Sequence, residues 1–430
     1  MPDTKSSKEI KRQVRDLKAL LDVSKAISNE AHLDDLLQVI MDKTTEVIDA
    51  DRSSLFLYDE SSNELWSKIA QKLGKIKEIR FAVGVGIAGE VAKTRNGINI
   101  KDAYNDPRFN PEFDKQTGYH TRSILCIPII SINGNLVGVI QVLNKKGGRV
   151  FDKRDESLLE ALVSHAAVAL ERAKLTEAYV EKQRIEEALK LARDIQMSIL
   201  PKRFPPFPDR NEFEIFATIE PAKEVGGDFY DFFFIDQQNL YFCIGDVSGK
   251  GIPASLFMAV TKTLIKAKTT KGMFPDEILT NVNKELCVDN DTAMFVTIFC
   301  GILNTSTGEV FYSNGGHNHP YILSQDHGTK PLNNESGMAL GVNEAAKYST
   351  SAVTLAPGDS IFLYTDGVTE AMDIHGNFYT DERLIRLLGN QKHLPIEDRL
   401  RTTLNDLKNF SSGAPPADDI TLLGIQYQKT

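Results

Sequence analysis

The run Leu240-Tyr241-Phe242-Cys243-Ile244-Gly245-Asp246-Val247-Ser248-Gly249-Lys250-Gly251 starts as an apolar strand and ends in an aspartate set among glycines. The pattern recurs around it. Val225-Gly226-Gly227-Asp228-Phe229-Tyr230-Asp231 places an aspartate after two glycines. Tyr364-Thr365-Asp366-Gly367-Val368 closes the apolar run 360–365, and Ala417-Asp418-Asp419-Ile420-Thr421 opens the run 420–427. A carboxylate at a strand end, beside a glycine, reaches a shared cleft without steric cost. Several unpaired carboxylates in one cleft repel unless a cation neutralises them. Oxygen-only ligands suit hard ions, Mg²⁺ or Mn²⁺, and not zinc. The chemistry that follows is metal-assisted hydrolysis, most often of a phosphate ester. Asp-Gly alone is common in surface turns. The weight lies in the number of such turns at strand ends within one half of the chain.

Composition narrows the class. The chain has 430 residues, enough for two or three domains, and is 41% hydrophobic, so it builds real cores. A net charge of −9 disfavours a general nucleic-acid binder. The four cysteines, Cys126, Cys243, Cys287 and Cys300, form no Cys-x-x-Cys pair, so neither a disulfide nor a zinc framework is expected. The N-terminus is polar and no run reaches the length of a membrane span, which predicts a cytoplasmic protein without membrane partners.

Periodicity divides the chain. Residues 6–47 repeat apolar positions at helical steps. Strand patterns follow at 53–58, 65–70, 79–83, 98–100, 123–132 and 136–144, the last two joined by the hairpin signal Asn133-Gly134-Asn135, with a short helix at 86–93. A long helix runs from Phe151-Asp152 to about Leu200, where Pro201 stops it. Val168, Leu175, Ala178, Ile185, Leu189, Ala192 and Ile199 form a heptad seam on it, broken by Lys182 and Gln196. The seam predicts a coiled-coil homodimer; the alternative is a helix packed on its own domain. The second half alternates strands at 213–219, 229–235, 240–245, 295–303, 309–314, 360–364 and 420–427 with helices at 252–268 and 275–287. The expected domains are an N-terminal helix (1–32), a sheet flanked by helices (33–172), a linker helix with a Pro-rich boundary (173–208) and a second domain (209–430).

Taken together in order, 224–231, 244–251, Phe311-Tyr312-Ser313-Asn314-Gly315-Gly316-His317, 338–341, 363–370 and 418–421 resemble the PPM family of metal-dependent protein phosphatases, in its SpoIIE-like bacterial branch. The resemblance covers essentially all of the second domain. It implies an α-β-β-α sandwich with two Mn²⁺ or Mg²⁺ ions, hydrolysing phosphoserine or phosphothreonine on a protein. On the matching positions it implies that Asp246 bridges the ions with the Val247 carbonyl beside it. Asp228 is then an acidic ligand of one ion, and Asp366 and Asp418 are ligands of the other. Asp419 is the weaker candidate. Ions so held lower the pKa of a shared water and offset charge on the phosphoryl oxygens. Eukaryotic members carry an arginine for the substrate phosphate that cannot be placed here; Lys223 or Lys250 could serve, or both could be solvated surface lysines. His317 reads equally as a structural histidine or a catalytic acid. The Ile195-Gln196-x-x-Ile199-Leu200-Pro201 stretch also resembles this branch, where the helix leading into the phosphatase domain is thought to transmit activation.

The first half is similar to a GAF domain of the type found in cyclic-nucleotide phosphodiesterases and adenylyl cyclases. The carrying segments are 86–92, 99–109, 117–129 and Val142-Leu143-Asn144-Lys145. Asn144-Lys145, followed by Phe151, Asp155 and Glu156, fits the signature of the nucleotide-binding members. The resemblance implies that these five support the pocket through a Lys145–Asp155 ion pair more than they touch ligand. The pocket candidates are Arg52 and Ser53, Ile87-Ala88 at a helix start suited to phosphate, Asp102-Ala103 over the base, and Thr121. A haem or bilin is not expected, since no cysteine or histidine is placed for one.

Two functions follow. One is a signalling phosphatase with cAMP or cGMP as effector, acting by analogy with the branch on a STAS-type anti-sigma-factor antagonist. The other is a nucleotide-sensing protein whose phosphatase-like domain only docks a partner. A phosphodiesterase is excluded: eight histidines do not pair at metal-ligand spacing.

Overall fold

The computed structural model describes residues 3–30, 32–67, 79–324, 328–332 and 335–428. They divide into two compact units, Met1–Arg184 and Ile185–Thr430.

The first unit opens with α1 (Asp3–Asn29) and α2 (Leu33–Ile48), so the single helical pattern read over 6–47 is two helices. Strands β1 (Ala50–Asp59), β2 (Glu64–Ser67) and β3 (Ile79–Ala82) follow, then α3 (Gly86–Thr94), β4 (Ile98–Ile100), α4 (Glu112–Thr117), β5 (Ile124–Ile130) and β6 (Leu136–Lys145). The end of the strand expected at 65–70 lies outside the described residues. The six strands form one antiparallel sheet in the order β3-β2-β1-β6-β5-β4. Alternation along the strands sends Leu55, Leu57, Leu125, Ile127 and Val142 to one face. There they meet Leu36, Leu37 and Ile40 of α2 and Leu159, Leu162 and Leu170 of the long helix α5 (Lys153–Ile199). The other face packs Phe56, Leu65 and Ile124 on Ile87, Ala88 and Val91 of α3. The sheet is covered by helices on both faces, as expected.

The second unit carries β7 (Phe213–Glu220), β8 (Phe229–Phe234), β9 (Asn239–Val247), α6 (Ile252–Lys268), α7 (Pro275–Cys287), β10 (Val296–Asn304) and β11 (Glu309–Gly315). It continues with β12 (Tyr321–Ser324), β13 (Gly328–Pro331), β14 (Ser351–Thr354), β15 (Ser360–Tyr364), α8 (Asp366–Thr369), α9 (Asp381–Asn390), α10 (Ile396–Phe410) and β16 (Ile420–Tyr427). Two five-stranded antiparallel sheets result, β14-β11-β10-β9-β8 and β13-β12-β15-β16-β7. Ile361, Leu363, Leu423 and Ile425 face the core between the sheets, while Phe362, Tyr364 and Leu422 face Leu384, Leu388 and Leu400 of α9 and α10. Strands buried on both faces read as continuous apolar runs, which is why these were legible. Helices α6 and α7 cover the other sheet through Met258, Ile265, Ile278 and Val282. The sandwich is α-β-β-α, the architecture the resemblance implies.

Candidate metal centre and ligand pocket

The four aspartates come from the ends of elements in both sheets, Asp246 on β9, Asp228 just before β8, Asp366 opening α8 after β15, and Asp418 just before β16. Asp228, Asp366 and Asp418 all stand within electrostatic reach of Asp246. Burial, then Asp366, pushes the Asp246 carboxyl up to about 7. Burial, then Asp246, holds Asp228 well above the ordinary carboxyl range. Burial, with Glu370 and Asp418 beside it, raises Asp366. Asp228 is buried, and its Oδ2 accepts from the hydroxyls of Thr365 (2.8 Å) and Thr421 (2.6 Å). That fixes it to the ends of β15 and β16. Among the described residues no three aspartate, glutamate, histidine or cysteine side chains already converge in metal-holding geometry. The donor set still fits hard cations. It is oxygen-only, and Asp228, Asp246 and Asp366 are raised by burial first and by neighbouring carboxylates second.

Asp419 serves another end. Its Oδ1 accepts from the amide of Ala222 (2.8 Å) and its Oδ2 from that of Gly227 (2.9 Å), so it buttons the 222–227 turn to the start of β16. Approach here is close. A Cβ on Gly226 would stand 1.9 Å from Asp419 Oδ2, and one on Gly227 2.6 Å from the Val247 carbonyl oxygen. Only glycine fits. The same turn is held from its other side by Gln196, near the end of α5. Its Nε2 donates to the Gly226 carbonyl (2.7 Å) and its Oε1 accepts from the Gly226 amide (3.2 Å). Gln196, read from the sequence as a break in the heptad seam, is buried for this contact.

His317 is structural. Its Nε2 lies 3.1 Å from the Tyr364 carbonyl, which can only accept, so the proton sits there and Nδ1 accepts from the Thr297 hydroxyl at 2.9 Å. Thr297 pairs with Asp246 across β9–β10, so the ring ties the two sheets behind the carboxylates. Burial pushes the imidazole down from 6.5 to about 4, which removes it as a general acid near neutral pH. Unfolding releases a group that then protonates at its ordinary value. The fold therefore loses about 2–3 kcal/mol as pH falls from about 6.5 to about 4. Denaturant midpoints of wild type and His317→Gln are expected to converge over that window; parallel curves would show that the ring is not held neutral.

In the first unit a cavity of about 360 Å³ is lined by Arg52, Ser53, Ile87, Ala88 and Thr121, all expected from the sequence. The Arg52 guanidinium lies 4.0 Å over the Tyr119 ring. Gly86, Ile87 and Ala88 bring the amino end of α3 to the wall, a site for anionic groups. Asp102 and Ala103 do not occur among the described residues lining the cavity. Asp102 caps the turn at Ala103–Asn105, accepting from the Tyr104 amide, and Ala103 is buried with its amide on the Arg122 carbonyl. Arg108, Phe109, Asp114 and Tyr119 line the cavity instead. Buried Asp114 accepts from the amide (2.6 Å) and hydroxyl (2.8 Å) of Thr121. These four stand in or beside motifs that sequence reading quotes, but nothing local says which way they turn.

Asn144, Lys145, Phe151, Asp155 and Glu156 are not among the residues lining the cavity. Asn144 takes a left-handed φ of +53°, which asparagine tolerates. Its Oδ1 accepts from the amides of Arg122 and Ser123, and its Nδ2 donates to Tyr119 Oη and the His120 carbonyl. It thereby shapes the segment carrying Tyr119 and Thr121. Lys145 pairs with Asp155 at 2.8 Å, and Glu156 accepts from Asn99 at 2.7 Å.

Residues 32–170 match the GAF domain model and residues 236–428 that of Stage II sporulation protein E (SpoIIE). Asp246, Asp366 and Asp418 fall inside the second match and Asp228 precedes it. The chain is 38% identical over 189 residues to the probable 3′,5′-cyclic phosphodiesterase pde-5 of Caenorhabditis elegans, covering 41% of this chain and 25% of that protein. It is 29% identical over 264 residues to protein IcfG of Synechocystis sp., covering 55% of this chain and 41% of that protein. It thus spans less than half the length of either relative. Among solved structures, the SiaA-PP2C domain of Pseudomonas aeruginosa matches at a TM-score of 0.52 with 22% identity, over 58% of this chain and 99% of that one, which shows a shared fold. The chain carries a GAF domain followed by a SpoIIE-type domain with the PP2C architecture. Among the described residues no helix is long and apolar enough to cross a membrane.

Proposed function

We propose that this chain, a GAF domain joined to a SpoIIE-type domain, is a signalling phosphatase that hydrolyses phosphoserine or phosphothreonine on a partner protein under control of a cyclic nucleotide. The observation that carries the reading is the gathering of four carboxylates, Asp228, Asp246, Asp366 and Asp418, from the ends of elements in both sheets, a set that calls for positive charge. Bound Mn²⁺ or Mg²⁺ would supply that charge, activate a water and neutralise the phosphoryl group. The chain's own part is placement. Thr365 and Thr421 hold Asp228, Gly226 and Gly227 let the turn approach Val247, and Asp419 keeps the turn closed. His317 joins the sheets behind them without moving a proton. By analogy with the SpoIIE branch, the substrate class is a STAS-type anti-sigma-factor antagonist.

For the effector, the GAF cavity combines a helix amino end with Arg52 and Arg108, which suits the phosphate of cAMP or cGMP, and the similarity to a probable cyclic phosphodiesterase supports the same class of ligand. The apolar seam of α5 leaves Val168, Leu175 and Ile185 exposed, which supports pairing with a second copy as a coiled-coil dimer. Regulation would pass along α5 to Gln196 and so to Gly226, two positions before Asp228. It requires the nucleotide to bind the active and inactive states with different affinity. The test uses the purified full chain with Mn²⁺ and a phosphoserine peptide. Phosphate release that needs Mn²⁺ and changes on adding cAMP or cGMP is expected. Release indifferent to both nucleotides, with no heat of binding by calorimetry, would remove the effector. No release under any metal would leave a docking protein.

A further inference from the structure

The segment Ser248-Gly249-Lys250-Gly251 leaves the end of β9 and opens α6. Gly249 and Gly251 have φ of +84° and +80°, with nothing within 4 Å of where a Cβ would stand. They form two unobstructed hinges in a region that costs glycine little. Lys250 lies between them, and its ammonium has partners in the site. Nζ donates to the Ala417 carbonyl at 2.5 Å and pairs with Asp418 Oδ2 at 2.9 Å. A cation of the chain thus already stands on one of the carboxylates proposed as a metal ligand, Asp418.

That position is exchangeable. The Lys250 and Asp418 side chains are 40% and 36% exposed, and an ion pair so open to water is weakly held. A doubly charged ion outcompetes a single ammonium for the same oxygens. An ammonium set free there stays tethered at the mouth of the cleft, four residues from Asp246. The next anion to arrive is the substrate's phosphoryl group, which lysine binds as a point charge.

We infer that Lys250 is an exchangeable cation of the site: it neutralises Asp418 in the metal-free chain, yields that place when a divalent ion binds, and then contacts the phosphoryl oxygens of the substrate. The inference rests on the metal-dependent phosphatase reading. It assigns the phosphate-contacting role to one of the two lysines the sequence left open.

The experiment compares full-length wild type, Lys250→Met and Lys250→Arg. Mn²⁺ binding is followed by calorimetry, and inorganic phosphate is titrated as an inhibitor of p-nitrophenyl phosphate hydrolysis. In Lys250→Met, the weaker Mn²⁺ is expected to bind several-fold tighter and phosphate inhibition to weaken about tenfold. Lys250→Arg restores phosphate inhibition to within about threefold, since it keeps the charge. The side chain is at the surface, and equal melting of the variants confirms that folding is untouched. Wild type that binds Mn²⁺ while Lys250→Met changes neither quantity, or only one, overturns the inference alone. Wild type that binds no Mn²⁺ overturns the metal reading and the inference with it.

Discussion

Asp246→Asn is expected to cut Mn²⁺-dependent phosphate release by about 10³-fold, since an ion's contribution of several kcal/mol to the transition state converts at 1.36 kcal/mol per decade. It is expected at the same time to make the metal-free protein more stable. The two effects share one cause. In the metal-free fold the charged form of Asp246 is disfavoured, by burial first and Asp366 second, so its pKa rises from 3.8 to about 7. An unfolded chain has no such penalty. Stability contributed by this group is therefore full below 3.8, falls as pH rises from 3.8 to about 7, and stays low above. Asparagine carries no charge at any pH. The variant's advantage should be absent near pH 4 and reach about 2–4 kcal/mol at pH 8. Saturating Mn²⁺ is expected to invert the order, because binding to the folded state alone stabilises it and asparagine offers a cation no anionic ligand. Thermal melting at pH 4.5 and pH 8, with and without Mn²⁺, reads all four states. An inactive variant that is also less stable without metal at pH 8 would mean that Asp246 is a structural carboxylate.

The same residues show where sequence reading stops. Asp246, Asp366 and Asp418 were legible because each borders a run of buried apolar residues, and such runs stand out when both faces of a strand are covered. The choice between Asp418 and Asp419 was not. Adjacent carboxylates at a strand start are equivalent on paper, and only the amides of Ala222 and Gly227, some 190 positions away in the chain, show that Asp419 is already engaged. Gln196 likewise reads as a flaw in a heptad until Gly226 is seen beside it. The overlooked strands β12, β13 and β14 are short, and β13 and β14 are sheet edges, one of them holding Gly328, Lys330 and Pro331. Half-covered edges carry weak patterns. Helices α9 and α10 did carry a signal, Leu384 and Leu388 in one and Ile396, Leu400, Leu404 and Leu407 in the other, at steps of three and four. In the GAF half, Asp102 and Ala103 were placed by resemblance, and the structure shows Asp102 capping the turn at Ala103–Asn105.

Lys145→Met is expected to destabilise the GAF unit by about 3–5 kcal/mol and to abolish nucleotide binding with it, although Lys145 does not line the cavity. Its Nζ pairs with Asp155 Oδ1 at 2.8 Å and donates to the Ile48 carbonyl at 2.6 Å. One ammonium thus joins the end of β6, the last turn of α2 and the first turn of α5. The side chains of Lys145 and Asp155 are 9% and 6% exposed, so removing the lysine strands a buried carboxylate, with the Asp152 amide among its few remaining donors. A stranded charge costs more than the pair ever contributed. Hence Lys145→Met/Asp155→Leu, which removes both charges, should recover most of the stability. It should recover binding too, if the signature residues build the pocket wall rather than touch ligand. Melting of the first unit and calorimetry with cAMP and cGMP separate the cases. A double variant that is stable but does not bind would place Lys145 or Asp155 against the nucleotide. A Lys145→Met protein that melts like wild type would show that the pair carries no structural load. Recovery of both properties would make the Asn-Lys…Phe-x-x-x-Asp-Glu signature a scaffold. Discrimination among ligands would then fall to the residues that face the cavity, Arg52, Arg108, Asp114 and Tyr119, which the signature does not contain.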